Sequence, residues 1–172
     1  MKRAWILFAT VAALLASSPV KRASVIAVEK SIDQRMKQLT ADDRPLAFAR
    51  GVYLDGYGAV FTTEVNLAVS AGPSPFQPVV PKEAVAKIRK TKLERLPALR
   101  QSMKEMLMSA AASLDEVPAK EQIAIGVSLV YFSYEDASGM PGQILMQGER
   151  GKLIDAKLGR VSIDSVVKAQ EF

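Results

Sequence analysis

The chain has 172 residues, 49% of them hydrophobic and 24% charged, with a formal charge of +5. That balance suits one globular domain and excludes a disordered or polytopic chain. It holds no histidine and no cysteine, so imidazole acid–base chemistry, thiol nucleophiles, thiolate metal sites, disulfides and a Ser-His-Asp triad cannot be built from it alone.

Lys2 and Arg3 precede thirteen uncharged residues, 4–16, and then Ser17 and Ser18. A basic start, a short apolar run and small residues after it make a secretory signal over residues 1–18. Cleavage after Ala16 is imperfect, because Leu14 stands where a small residue is preferred. An uncleaved anchor is therefore the alternative. Thirteen residues rise only about 20 Å as a helix, against a hydrocarbon core of about 30 Å. The chain is expected to be exported, to the periplasm or beyond, or else held at the inner membrane through residues 4–16.

The remainder, 23–172, reads as one α+β domain. Val25, Val28, Ile32, Met36 and Leu39 recur at three- and four-residue steps, which predicts an amphipathic helix over 23–39. Thr40 to Pro45 ends it. Asp55-Gly56 between β-formers predicts a two-residue hairpin turn in which both residues take positive φ. From Ala59 to Val69, apolar and polar residues alternate as in a strand with one buried face. Four prolines in 71–81 predict an extended loop. Ile88, Leu96, Leu99, Met103, Leu107, Ala110 and Leu114 keep phase past Pro97, which predicts one kinked helix over 82–114. Residues 124–134 are apolar or small on both faces and predict a central strand. Residues 143–148 return as its antiparallel partner, and 149–172 fit a short helix or turn near Leu153–Leu158 followed by helix or edge strand from Ser162. The expected architecture is a mostly antiparallel sheet of four or five strands with two main helices on one face.

Three constellations carry chemistry. Between Lys82 and Glu105 lie Lys82, Lys87, Arg89, Lys90, Lys92, Arg95, Arg100 and Lys104 against Glu83, Glu94 and Glu105. This excess of five equals the charge of the whole chain and marks a surface for an anionic partner: lipid headgroups, a cell-wall polymer or an acidic protein. Nucleic acid fits less well, because no aromatics interleave the cations. A solvated helix face explains the same run. Tyr53 and Tyr57 flank the hairpin turn and could offer a paired contact to a flat ligand or a protein, although turn chemistry alone accounts for the string. Glu64, Asp55, Glu135 and Asp136 are the carboxylates from which a glycosidase-like pair would have to come. Ser165 and Lys168 have Ser-x-x-Lys spacing without its companion motifs, and Met103, Met106 and Met108 read as core fillers. No cofactor and no metal are expected. The composite expectation is a non-catalytic envelope protein that binds a partner through the sheet or the basic helix, with a carboxylate-dependent hydrolase of sugar or cell-wall polymer as the alternative.

Overall fold

The apolar spacing of the first amphipathic segment is realised as α1 (Arg22–Leu39), which buries Val25, Val28, Ile32 and Met36. The structure is a computed structural model and describes residues 20–40, 46–68 and 72–172. The expected signal over 1–18, most of the turn ending at Pro45, and Val69 lie outside the described residues. The elements that follow are β1 (Arg50–Leu54), β2 (Gly58–Val65), α2 (Lys82–Ser113), β3 (Gln122–Leu129), β4 (Gln143–Glu149), α3 (Arg150–Lys157), α4 (Ile163–Val166) and β5 (Lys168–Glu171).

The five strands form one sheet in the order β1-β2-β3-β4-β5. Three pairings are antiparallel, but β2 and β3 run parallel, with Ala59 beside Ile123 and Phe61 beside Ile125. A parallel pair needs a crossover, and α2 supplies it. This long helix runs unbroken through Pro97.

Strand alternation then decides the core. Ala59, Phe61, Val65, Ile123, Ile125, Val127, Ile144 and Met146 join one cluster with α1, α2 and Leu153 of α3. A methyl at Gly51 would lie 2.8 Å from Val25 and one at Gly148 would lie 3.1 Å from Leu153, so α1 and α3 cover the same face as α2. The opposite face carries Val52, Leu54, Val60, Ala124 and Leu145, none of which belongs to that cluster.

Three expectations are corrected in detail. The hairpin loop has three residues, 55–57, because Leu54 pairs with Gly58. Only Gly56 in it takes positive φ, at 76°, and Asp55 does not; a type II turn needs just that. The predicted central strand stops at Leu129, five residues early, and 130–142 is a connection. The tail holds both a short helix, α4, and an edge strand, β5.

Candidate functional site

Folding divides the basic run of α2 into inward and outward members. Lys92 follows Ile88 by four residues and precedes Leu96 by four, so it falls on the apolar stripe and is 1% exposed. Its ammonium pairs with Glu135, donates to the Val130 carbonyl at 3.0 Å and sits 4.7 Å from the centre of the Tyr131 ring. Arg95 donates to the Leu67 carbonyl. Arg89 pairs with Asp136 at 3.2 Å and donates to the Ser138 carbonyl at 2.8 Å. Arg100 forks onto Glu171 at 2.6 and 2.9 Å, and Lys104 pairs with Asp164. These cations fasten the β2–α2 and β3–β4 connections, α4 and β5 to the helix. Lys92 is thereby removed from the predicted partner surface, because a charge on the buried stripe must find its counter-ion inside.

Lys82, Arg89 and Lys90 remain together, lining an open cleft of about 560 Å³ with Val85, Ala86, Leu93, Glu94 and Asp136. Lys87 lies outside this lining. The Asp136 carboxyl is held below its ordinary range, first by hydrogen bonding to Ser138 and also by Arg89.

The two tyrosines do not meet as a pair. Tyr53 stands opposite Ala59 on the helix-covered side and packs against the core. Its hydroxyl is pushed up to about 12, first by burial and then by the Glu121 carboxylate. Tyr57 instead reaches over β3 on the uncovered side and donates to Gln147 Oε1 of β4 at 3.0 Å. Val52 and Leu54 are exposed on that uncovered side, with Val60 half-buried beside Val52 and Leu145 half-buried farther across the sheet on β4.

The backbone edge of β1 is occupied by side chains of α1. Gly51 donates its amide to Glu29 Oε1 at 2.8 Å and accepts from Arg22 at 2.9 Å, while Ala49 donates to Asp33 at 2.7 Å. Such capping keeps an edge strand from recruiting another strand.

The carboxylates considered for catalysis are scattered. Asp55 lies in the hairpin turn and Glu64 near the other end of β2, exposed on the uncovered face. Glu135 is ion-paired to Lys92. Ser165 and Lys168 share a small cleft of about 170 Å³ with Glu149 and Lys152, but the Ser165 hydroxyl donates to the Ser162 carbonyl at 2.7 Å. Among the described residues no three metal-ligating side chains gather. Met103 and Met106 are core residues, and Met108 is half-buried.

The topology also gathers exposed aromatic side chains at one end of the sheet. β2 and β3 end together, β1 and β4 begin at that end, and Gln143 donates to the Phe172 carbonyl there. The lead-in to β1, the β2–α2 and β3–β4 connections, and Phe172 therefore share one end of the sheet. Phe48, Phe76, Phe132 and Phe172, four of the five described phenylalanines, sit in these segments, and all four are exposed; Phe61 alone is in the core. Phe48 and Phe76 stand outside any periodic apolar stripe, near Pro45 and beside Pro75, whereas Phe132 falls inside the stretch 124–134 that reads as strand.

No family model matches this chain, and neither a curated protein nor a solved structure matches it.

Proposed function

We propose that this chain is an exported, non-catalytic binding or accessory protein of the bacterial envelope that receives a protein partner on the uncovered face of its sheet. The observation that carries this reading is the combination of a sheet face left open by the helices, where aliphatic side chains of β1 and β2 stand among polar ones, and a plugged edge. Val52 and Leu54 offer exposed aliphatic surface, and Val60 and Leu145 half-buried surface, on strands whose other face is fixed in the core. Arg22, Glu29 and Asp33 meanwhile block strand addition beside Ala49 and Gly51. Recognition by face, with side chains of a partner laid across the strands, is the mode this geometry supports. Export rests on the basic, then apolar, start of the sequence.

The hydrolase alternative requires a carboxyl raised into the neutral range beside an ionised one. The cleft on α2 holds Glu94 and Asp136, and Asp136 is shifted the other way.

The test is hydroxyl-radical footprinting of the protein in intact cells and after purification. Val52, Leu54 and Leu145 should be protected in cells and reactive when purified, and Leu54→Glu should abolish the protection. Equal reactivity in both settings would remove the reading.

A further inference from the structure

Phe76 is 99% exposed at the tip of a rigid turn. Ser74 and Gln77 bond each other's backbones at 2.9 and 3.0 Å, and the Ser74 hydroxyl accepts from the Gln77 amide at 3.1 Å. Prolines 73, 75, 78 and 81 bracket the turn, so little backbone freedom is left to lose when the tip enters another phase. Val79 is exposed on the same connection. Directly after it, α2 begins with Lys82, and Lys87 and Lys90 follow on its exposed surface.

We propose that the end of the sheet bearing Phe48, Phe76 and Phe132 docks on an anionic phospholipid surface, with Phe76 entering the acyl boundary and Lys82, Lys87 and Lys90 meeting the headgroups. Three things favour lipid over protein as the occupant. The phenylalanines stand on separate connections, which suits a fluid phase that closes round each one. They are pure hydrocarbon tips, without the polar handle of tyrosine or tryptophan. The exposed cations beside them are Lys82, Lys87 and Lys90, with Arg89 paired to Asp136, and lysine is depleted from protein interfaces and attracted by anionic bilayers. Glu83 and Glu94 lie among these lysines, so the apolar term carries most of the binding and salt has only a modest effect. The docking does not depend on the sheet-face reading and uses a different surface.

The full chain has one tryptophan, Trp5. Trp5→Phe combined with Phe76→Trp places a single reporter on the tip, so its signal is independent of how the first residues behave. Mixed with phosphatidylcholine vesicles containing about one third phosphatidylglycerol, this variant should shift its emission to shorter wavelength and be quenched by brominated acyl chains. Tyr57→Trp in the Trp5→Phe background, at the opposite end of the sheet, should show neither change. Raising salt should weaken the quenching of this reporter only about fivefold. An unquenched reporter at position 76, whether or not the protein binds vesicles, overturns the proposal. Failure here would leave the footprint at Val52 and Leu54 untouched.

Discussion

Lys92 of α2 and Glu135 of the β3–β4 connection form an ion pair whose two side chains are each 2% exposed. A buried pair tolerates the loss of one partner poorly, since the survivor is left as an uncompensated charge. Lys92→Met or Glu135→Leu alone should each cost about 3–5 kcal/mol in urea unfolding. The double change Lys92→Met with Glu135→Leu should recover most of that, and strict additivity of the two single losses would refute the coupling.

The Glu29 carboxylate links Arg22 to the Gly51 amide. Glu29→Ala should cost about 1–3 kcal/mol, because it strands a backbone donor, and it should also uncover the β1 edge. Thermal unfolding measures the first effect. The second should appear as concentration-dependent oligomers on size-exclusion chromatography, which Arg22→Ala, on the exposed side of the bridge, should produce less readily.

Gly56 and Gly58 separate two reasons for glycine. Gly56 has φ 76° and open space around an added methyl, whereas Gly58 has φ 128° and a methyl there would lie 2.0 Å from the Gln122 carbonyl oxygen. Gly56→Ala should cost about 1–2 kcal/mol, the penalty of a left-handed backbone alone. Gly58→Ala should cost clearly more, since β2 and β3 must part to admit it. Equal losses in chemical denaturation would contradict this account.

Acid should loosen β5. Hydrogen bonding from Arg100 holds the Glu171 carboxyl below its ordinary value, so the unfolded chain takes up that proton more readily than the fold. The stability contributed is complete above the ordinary carboxyl range near 4.5 and is lost as pH falls through the depressed value. Amide exchange along 168–171 should rise steeply there. Glu171→Gln should flatten that pH dependence.

Tyr53 gives the alkaline counterpart. Its hydroxyl is raised to about 12, so its contribution is intact below the ordinary tyrosine value near 10 and disappears as pH climbs through the raised one. Tyr53→Phe should remove the corresponding share of the alkaline loss in melting temperature, read beside the tyrosinate absorbance.

Periodicity made the helices legible: Val25, Val28, Ile32 and Met36 place α1, and the stripe from Ile88 to Leu114 places α2 across its proline. The same periodicity, followed through charged residues, marks Lys92 as inward; reading the cations as a composition hides that. The parallel pairing of β2 with β3 was not legible, because a strand's residues show which side is buried but not the direction of its neighbour. Tyr53 and Tyr57 looked like a pair on the assumption of a two-residue turn. The third loop residue and the uncovered-side reach to Gln147 separate them. The exposed phenylalanines become a group only when topology brings four distant segments to one end.

The plugged rim of β1 also governs what larger assemblies this sheet can enter. Growth by strand addition is blocked beside Ala49 and Gly51 and open along β5, so two copies joined through β5 would turn their capped rims outward. Twofold pairs are permitted by that geometry, and endless ribbons are not.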